Sequence, residues 1–496
     1  MNHKNYIIAI DQGTTGTTVL LVDENGQIKY RNYSEFAQHY PRPGWVEHDA
    51  KEIWDVTVHL LDDLIVQSGV DVSHILSIGI TNQRETTVVW ERNSGKPICN
   101  AIVWQCRRTA DACAMLRNEG IEPIVREKTG LVIDPYFSAT KIAWILDNID
   151  GARQAAINGN LCFGTIDTWL LWNLTDGKVH ATDYTNAART MLFNIGTLKW
   201  DEELLKVFKV PAQILPDVFA SSHLFGYTRN IPLLRDGIPI AGIAGDQQAA
   251  LFGQLCFDVG RAKNTYGTGC FLMLNTGEQR IYSQSGLLTT LACGSGTKPI
   301  YALEGSVFIA GAAVQWLRDG LKIINSAAET EELALKVNDS NGVYVVPAFT
   351  GLGAPYWNAD ARGAILGLTR GTTREHIVRA TLESIAFQTA DVVEAMRADS
   401  KVPLQQLRVD GGAVVNNFLM QFQSDILNIT VERPAIIETT ALGAAFLAGL
   451  AIGLWNDTAE LENCRQTNKI FSPQMSPAER ERLFSGWKNA VRKVTA

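Results

Sequence analysis

A carboxylate at the end of an apolar run is the first group in this sequence that could do chemistry. Asp246 follows the run 238–244 (IPIAGIA) and Gly245. A carboxylate at the tip of a buried strand is well placed to take a proton from an attacking hydroxyl. The same residue could instead cap a helix predicted for 247–255, and the two roles are compatible. The sequence therefore offers Asp246 as a general base, with helix capping as the alternative.

Residues that could hold a small polyol occur near the ends of other predicted strands or in loops. A polyol hydroxyl both donates and accepts hydrogen bonds, and its C–H face needs an apolar wall. Taken singly, a neighbouring Arg and Glu more often form a surface pair, and aromatic residues more often belong to the core. The candidates are Arg84 and Tyr136 as donors, Glu85 and Asp246 as acceptors, and Trp104 and Phe271 as the wall.

Residues 11–16 (DQGTTG) could form a phosphate-binding turn between two strands. Two glycines allow the backbone to approach a polyanion, successive N–H groups can form an anion-binding nest, and the threonine hydroxyls add donors. Asp11 could hold Mg²⁺ directly or through its waters. The alternative is a tight turn whose Asp and Thr side chains bond only to their own backbone.

A related pattern opens the second half of the chain. Residues 267–269 (GTG) stand between the run 261–266 and the apolar run 270–274 (CFLML), and one such loop from each half could grip a triphosphate from both sides. Residues 407–413 (LRVDGGA) predict a strand and a Gly-Gly turn, with a helix over 414–422. Asn416 would lie one turn into that helix, within reach of a base or ribose. A strand-to-helix connection that needs positive φ is the alternative.

The elements that would position these residues alternate along the chain. Runs typical of strands (76–80, 343–346, 406–409) alternate with helical patterns (53–66, 374–396), which predicts α/β architecture in both halves. A chain of 496 residues is too long for one core, so we expect two domains, 1–258 and 259–496. The apolar stretch 441–455 predicts a buried helix with small residues for close packing, and 476–491 predicts an amphipathic helix.

Composition and missing motifs exclude several classes of function. The net charge is 44 − 52 = −8, without the basic field of a nucleic-acid-binding protein. The longest apolar stretch, 15 residues, is too short to insert across a membrane, and eight scattered cysteines without a C-x-x-C pair favour reduced, buried thiols and a cytoplasmic location. The chain has no P-loop, G-x-G-x-x-G, H-E-x-x-H or G-x-S-x-G motif.

Two long patterns resemble the FGGY carbohydrate kinases. They are 136–148 (YFSATKIAWILDN) and 363–368 (GAILGL), the second followed by His376, Ile377 and 380–383 (ATLE). Shorter motifs are similar to those of the glycerol-phosphorylating branch: 11–15 (DQGTT), 43–48 (PGWVEH), 81–86 (TNQRET), 104–108 (WQCRR), 245–248 (GDQQ) and 264–271 (NTYGTGCF).

The resemblance implies two ribonuclease H-like (actin-like ATPase) domains that close on ATP, Mg²⁺ and glycerol. The implied activity is ATP-dependent phosphorylation of glycerol to sn-glycerol 3-phosphate, the first step of glycerol catabolism, in a cytoplasmic homodimer or homotetramer. Asp246 is the implied base. The implied glycerol site contains Arg84, Glu85, Trp104, Tyr136, Asp246, Gln247 and Phe271, and the implied nucleotide site contains Thr14, Thr15, Gly16, Thr268, Gly311, Gln315, Gly412 and Asn416, with Asp11 at the metal.

One departure and two other functions qualify this interpretation. Similar enzymes commonly carry Arg where this chain has Thr18, so Thr18 is left out of the nucleotide site. A kinase for a pentulose or another sugar would need a wider pocket than the short polyol set provides. An actin-like filament or chaperone switch would use the phosphate loops alone, and the polyol residues and Asp246 argue against it.

Overall fold

The protein folds into two compact units, each assembled from several chain segments. The structure is a computed structural model and describes residues 5–294, 298–358 and 360–496. The first unit contains the chain up to Leu255, Thr289–Tyr301 and Thr439–Arg465, and the second contains Cys256–Leu288, Ala302–Glu438 and Gln466–Ala496. The first change of unit lies close to the boundary predicted after residue 258, and the chain then returns twice to the first unit.

A six-stranded mixed sheet forms the centre of the first unit. Its order is β13-β14-β5-β1-β2-β3, in which β1, β5 and β14 are parallel and β2, β3 and β13 are antiparallel to their neighbours. The strands up to Gly245 are β1 Tyr6–Gln12, β2 Gly16–Asp23, β3 Ile28–Glu35, β4 Glu47–His48, β5 Ile75–Asn82, β6 Val88–Glu91, β7 Ala101–Ile102, β8 Leu161–Gly164, β9 Ala181–Asp183, β10 Phe193–Asn194, β11 Lys199–Trp200, β12 Asp217–Phe219, β13 Ser222–Tyr227 and β14 Pro239–Gly245.

Five strands of the second unit, β16, β15, β21, β22 and β23, repeat the pairings of β2, β1, β5, β14 and β13 in the first unit. Within the second unit the strands of this mixed sheet run in the order β18-β16-β15-β21-β22-β23; β15 is antiparallel to β16 and parallel to β21, and β22 is parallel to β21 and antiparallel to β23. The predicted recurrence of the opening hairpin is therefore confirmed. The remaining strands are β15 Arg261–Tyr266, β16 Cys270–Gly277, β17 Leu288–Ala292, β18 Ile300–Val307, β19 Tyr344–Val346, β20 Ala364–Leu366, β21 Gln406–Asp410, β22 Thr430–Pro434 and β23 Thr467–Phe471.

Helices surround both sheets, which confirms the α/β class. Those up to Gly253 are α1 Ala50–Ser68, α2 Ala110–Asn118, α3 Glu122–Thr129, α4 Ser138–Asn148, α5 Ala152–Ile157, α6 Ile166–Leu174, α7 Tyr184–Ala187, α8 Glu202–Val207 and α9 Asp246–Gly253. Those after it are α10 Gly311–Asp319, α11 Glu329–Leu335, α12 Arg374–Ser400, α13 Asn417–Leu427, α14 Thr439–Ala451, α15 Thr458–Leu461 and α16 Pro477–Thr495.

Helix α14 is the buried helix predicted from the stretch 441–455. It packs against β14, β5 and α9 within the first unit. A Cβ at Gly79 of β5 would lie 2.2 Å from the carbonyl oxygen of Ala444, and a Cβ at Gly443 would lie 1.9 Å from that of Ala249. Both glycines are required because the helix backbone approaches its neighbours this closely, as the small residues predicted.

Helix α16 also matches its prediction. Ser476 is the N-cap residue, and its side chain accepts a hydrogen bond from the backbone N–H of Glu479. Leu483, Trp487 and Val491 are buried on one face, and the Trp487 indole donates to the Asp391 carboxylate of α12 at 2.7 Å. The helix is thus part of the core of the second unit.

The structure corrects two sequence-based bounds. The first turn is shorter than the predicted 11–16, since Asp11 pairs with Thr18 and only residues 13–15 lie between the two strands. The helix predicted over 414–422 is also wrong at its start, because a 3₁₀ turn covers Gly412–Val415 and Asn416 is the N-cap of α13. Both differences lie next to glycines, whose wide range of backbone conformations makes the exact end of a strand or the start of a helix hard to predict.

In the described part of the chain, no helix is long and apolar enough to span a bilayer. All eight cysteines lie in this part, none forms a disulfide, and seven are buried. This agrees with the prediction of mostly buried thiols.

Candidate active site

Three loops of the first unit follow strands whose carboxyl ends are adjacent. In the sheet register Gln12 of β1 lies beside Asn82 of β5, and Asn82 lies beside Gly245 of β14. Ligands of open α/β sheets bind at the carboxyl ends of the strands. The register therefore brings together the turn 13–15, residues 83–86 and Asp246, which the sequence marked separately.

Arg84 is the centre of the polar cluster that these loops form. Its Nε lies 3.1 Å from Oδ1 of Asp246, and its two terminal nitrogens donate to Oε1 of Gln248 at 3.1 Å and to the hydroxyl of Tyr136 at 3.3 Å. The Arg84 side chain is 2% exposed, whereas that of Asp246 is 30% exposed. One planar guanidinium thus fixes the predicted base and a predicted hydroxyl donor, and leaves the base accessible.

Gly245 is required by this arrangement. A Cβ at residue 245 would lie 2.7 Å from both Cγ and Cδ of Arg84, and the residue's N–H donates to the Thr185 hydroxyl at 2.9 Å. Asp246 is the first residue of α9, its Oδ1 accepts from the backbone N–H of Gln247 at 2.7 Å, and Gly245 occupies the N-cap position. The alternative role of Asp246 as the N-cap residue is therefore wrong.

Glu85 is buried beside Arg84 in an unusual backbone conformation. Its φ is 62°, in the left-handed region that non-glycine residues rarely adopt. Its carbonyl oxygen accepts hydrogen bonds from the hydroxyls of Thr87 and Ser138, each at 3.1 Å. Its carboxylate Oε1 lies 2.6 Å from Nε of Arg189. Surrounding groups thus hold a strained residue in place, as is common at functional sites.

Two aromatic side chains stand at this cluster. The rings of Trp104 and Tyr136 pack edge to face with their centres 5.5 Å apart, and the indole N–H of Trp104 donates to the Thr14 hydroxyl at 2.9 Å. Thr14 therefore bonds beyond its own turn, unlike in the simple-turn alternative. Buried Lys141 donates to the carbonyl oxygen of Tyr136 at 2.7 Å, and burial lowers the pKa of Lys141 to about 7.

The turn of the first hairpin contains an exposed threonine next to a glycine that packing requires. The Gly13 N–H donates to the carbonyl oxygen of Gly16 at 2.9 Å, and Thr15 between them is exposed. A Cβ at Gly16 would lie 2.6 Å from the Ser34 carbonyl oxygen on β3, so packing accounts for this glycine. Thr18 is buried in the sheet at 8% exposure.

Asp11 stands one residue before the end of β1, next to this turn. The described residues contain no group of three or more His, Cys, Asp and Glu side chains arranged to hold a metal. Mg²⁺ does not require such a cage, because it usually keeps several waters and binds through one or two carboxylates and substrate phosphates. A single carboxylate beside a phosphate turn fits that mode of binding.

The matching hairpin of the second unit is hydrogen-bonded to the backbone at the start of α10. The carbonyl oxygen of Thr268 accepts hydrogen bonds from the backbone of Ala310 at 2.8 Å and Ala312 at 3.1 Å, and that of Gly267 accepts from Gly311 at 3.0 Å. These contacts bring the predicted residues Thr268 and Gly311 together. The side chain of Thr268 remains exposed, and so does that of Gln315, one turn further along α10.

The Gly-Gly turn lies beside this hairpin because β15 and β21 are parallel neighbours. Gly411 has φ 91°, and a Cβ there would lie 2.6 Å from the Tyr266 carbonyl oxygen. A Cβ at Gly412 would meet none of the described atoms within 4 Å. Packing thus explains Gly411 but not Gly412. Asn416 caps α13 through its side-chain oxygen, and its amide donates to the Thr330 hydroxyl at 3.2 Å.

The predicted residues thus fall into two groups, a first cluster around Arg84 in the first unit and a second set in the second unit. Arg84, Glu85, Trp104, Tyr136, Asp246 and Gln247 belong to the first unit, together with Asp11, Thr14, Thr15 and Gly16; Thr268, Phe271, Gly311, Gln315, Gly412 and Asn416 belong to the second. Phe271 of β16, predicted for the polyol wall, is half-buried opposite Thr265.

Sequence reasoning missed three side chains of the first cluster. Gln248 stands in the motif 245–248 but was not predicted as a site residue. Lys141 is a charged residue inside an otherwise apolar helical stretch, which is a usable sign of a buried role. Arg189 stands in an unremarkable stretch, 187–191 (AARTM), and only the fold brings it to Glu85.

Comparison with known proteins places the chain among carbohydrate kinases. The sequence matches the N-terminal domain of the FGGY family of carbohydrate kinases over residues 6–253 and its C-terminal domain over residues 262–452. Glycerol kinase 2 of Thermotoga maritima is 61% identical over 486 residues, and a glycerol kinase of Thermoanaerobacter sp. is 61% identical over 489. These alignments cover 98% and 99% of this chain and 98% of each relative.

Solved structures agree with the sequence relatives. Plasmodium falciparum glycerol kinase with ADP superposes with a TM-score of 0.94 at 40% identity, covering 99% of each chain. A gluconate kinase from Lactobacillus acidophilus has a TM-score of 0.89 at 24% identity, again covering 99% of both chains, and shows the shared fold alone. The chain, with its two actin-like α/β units, belongs to the FGGY family of carbohydrate kinases.

Proposed function

We propose that this protein transfers the γ-phosphoryl group of ATP to a terminal hydroxyl of glycerol, giving sn-glycerol 3-phosphate and ADP. The observation that carries the proposal is the arrangement around Arg84, which fixes the accessible carboxylate of Asp246 and the Tyr136 hydroxyl within one cluster. The names of the relatives that are about 60% identical over nearly the full chain support glycerol as the acceptor.

Glycerol would be held by the first cluster; Phe271, also predicted for the apolar wall, belongs to the second unit. Arg84 and the Tyr136 hydroxyl would donate to the hydroxyls of glycerol, Glu85 would accept from them, the Gln247 amide would accept or donate, and Trp104 would cover its C–H face. The mixture suits a molecule whose polar groups both donate and accept. Its small extent favours a three-carbon polyol over a pentulose.

The reacting hydroxyl would lose its proton to Asp246 as its oxygen forms a bond to the γ-phosphorus. The bond from that phosphorus to the bridging oxygen breaks, and ADP leaves with the electron pair. Because the transition state of phosphoryl transfer is loose, positioning and charge neutralisation provide most of the acceleration. Asp246 needs only to be an available acceptor within reach of the hydroxyl, and its exposure suits that role.

The residues predicted to bind the nucleotide lie in turns and helix starts of the two units. The nucleotide residues are Thr14, Thr15 and Gly16 in the first unit and Thr268, Gly311, Gln315, Gly412 and Asn416 in the second. The open space at Gly412 supports close approach of a ligand there, and the ADP named with the Plasmodium structure supports an adenine nucleotide. Mg²⁺ held near Asp11 would neutralise phosphate charge when bound.

Residues 1–258 would thus supply the polyol site and one phosphate turn, and residues 259–496 most of the nucleotide site. The eight free thiols support a reducing, cytoplasmic location. The homodimer or homotetramer implied by the family resemblance stays a prediction, which sedimentation would test.

The test replaces Asp246 with Asn and measures ADP release over glycerol, dihydroxyacetone and xylulose. We expect glycerol to be the best acceptor of the wild type, and Asp246→Asn to lower kcat by roughly 10²–10⁴-fold while largely sparing glycerol binding, because a proton acceptor is lost but the shape is kept. Asp150→Asn, an exposed carboxylate elsewhere in the first unit, is the matched control.

Three results would count against the proposal. Near-normal kcat in Asp246→Asn would remove Asp246 as the base. A higher kcat/KM for xylulose than for glycerol would favour the sugar kinase. ADP release that does not depend on any added acceptor would favour a nucleotide-driven switch.

A further inference from the structure

A second arginine lies behind the polyol cluster without belonging to the predicted site. Nε of Arg189 lies 2.6 Å from Oε1 of Glu85, and the two side chains are 0% and 1% exposed. A carboxylate removed from water to this extent is stable only with close partners. Arg189 is thus part of the reason that Glu85 can remain a charged acceptor in the core.

Arg84 alone does not balance the carboxylates of this cluster. Its Nε lies 3.1 Å from Asp246 but 3.9 Å from Glu85, so its short contact is to Asp246. Glu85 has its short contact with Arg189 instead. The contact of Arg84 with Asp246 is thus shorter than its contact with Glu85, and Arg189 makes a closer contact with Glu85 than Arg84 does.

Arg189 also contacts the other side of the polyol cluster. The centre of its guanidinium lies 5.6 Å from the centre of the Tyr136 ring and 5.2 Å from that of Phe137. These distances are within the range of cation–π attraction. A single buried side chain therefore contacts both an acceptor and a donor of the proposed glycerol site, Glu85 and Tyr136.

We propose that Arg189 is a positioning residue of the glycerol site, which orients the Glu85 carboxylate and so determines polyol affinity. The inference rests on the proposed function. It assigns to Arg189 no contact with substrate and no proton transfer. Its effect is therefore expected on the KM for glycerol and not on the KM for ATP.

The experiment measures kcat and both KM values for Arg189→Met, Arg189→Lys, Glu85→Gln and the double variant Glu85→Gln with Arg189→Met. Loss of one partner of a buried charge pair is expected to raise the KM for glycerol about thirtyfold or more in Arg189→Met, with the KM for ATP within about twofold. Arg189→Lys keeps the charge and should recover part of that loss.

The double variant keeps the test valid if Arg189→Met fails to fold, because it leaves no unpaired buried charge. Its KM for glycerol should equal that of Glu85→Gln alone, since Arg189 acts through the Glu85 carboxylate. Arg92→Met is the control for a structural arginine of the same unit, whose guanidinium donates only to backbone carbonyls. It is expected to lower stability without changing the KM for glycerol selectively.

The outcomes separate this inference from the proposed function. A wild type that does not phosphorylate glycerol overturns both. A wild type that does, with a folded Arg189→Met variant whose KM for glycerol is normal, overturns the role of Arg189 alone. A double variant much weaker for glycerol than Glu85→Gln would also overturn it.

Discussion

At the scale of single residues, glycine occurs at different positions for different structural reasons. Gly16 and Gly411 are required by backbone packing, because a Cβ would lie 2.6 Å from a neighbouring carbonyl oxygen in each case. A Cβ at Gly412 would lie in open space, so packing does not require this glycine, which is compatible with the proposed approach of a ligand to its backbone. Packing therefore accounts for Gly16 and Gly411, while the role of Gly412 at the nucleotide stays a prediction.

His48 makes the stability of the first unit depend on pH. Burial and, to a smaller extent, His39 lower the pKa of His48 to about 4, and its ring nitrogen Nε2 lies 2.8 Å from Oε1 of Gln38. Between pH 6.5 and 4 the unfolded chain binds a proton that the folded protein does not. The free energy of unfolding therefore falls as the pH drops through this range, by up to about 3 kcal/mol from this residue.

Urea unfolding at pH 7 and pH 4.5 tests this expectation in His48→Gln, which should lose less stability on acidification than the wild type. His59→Gln, at a side chain that is 71% exposed, is the control and should behave as the wild type does. Equal losses in wild type and His48→Gln would contradict the assignment.

Much of the candidate site is predictable at this scale, and the remainder has a physical reason for being missed. Arg84, Tyr136 and Asp246 follow or neighbour strand-like runs, so residue type and position indicate them together. Arg189 approaches Glu85 from a segment more than 100 residues away in sequence (|i−j| = 104), and no local pattern reports a contact of that length. Lys141, within the motif 136–148, could have been predicted to have a buried role, since a charged residue among apolar ones needs a buried partner.

At the scale of elements, turns that lie between adjacent strand ends bring the site residues together. The parallel pairs β1–β5 and β15–β21 place a hairpin turn next to a second loop in each unit. Strand alternation in the sequence predicts the strands but not which of them are neighbours. The predicted start of α13 is wrong because the residues of the 3₁₀ turn at Gly412–Val415 are equally compatible with the first turn of an α-helix.

The close packing of α14 on α9 gives a prediction for this scale. Gly443→Ala would place a methyl group 1.9 Å from the carbonyl oxygen of Ala249. Two backbones would have to separate, which we expect to lower the free energy of unfolding by about 1–3 kcal/mol or more. Thermal and urea unfolding measure this loss.

Gly371→Ala is the control for adding the same methyl group. Gly371 is exposed, its φ is not positive, and its nearest atom would be Oγ1 of Thr369 at 3.8 Å. It should leave stability unchanged or raise it slightly. A Gly443→Ala variant as stable as Gly371→Ala would show that the helices can move apart freely.

At the scale of the whole molecule, two units that share the pairings of five strands have different proposed tasks. All polyol residues except Phe271 lie in the first unit, and most nucleotide residues lie in the second. The length and the repeated hairpin predict two related halves. The return of 439–465 to the first unit was not predictable, because α14 is apolar on all sides and its pattern indicates burial without indicating in which core.

Hydrogen exchange in the presence of each ligand would test this division. We expect glycerol to slow amide exchange in residues 83–86 and 136–141, and ADP to slow it in residues 267–269 and 411–416, because bound ligands reduce local opening. Helix α16, distant in sequence from both sets and packed into its own core, provides the internal reference. Protection by glycerol confined to 411–416 would contradict the assignment.

The late return of the chain to the first unit has a consequence for biosynthesis. Residues of β5 and β14 are made early, but α14, which packs on both, emerges from the ribosome only after residue 451 of 496. Domains generally begin to fold as they are synthesised. The sheet with the proposed glycerol site therefore keeps an apolar surface uncovered until translation is almost complete.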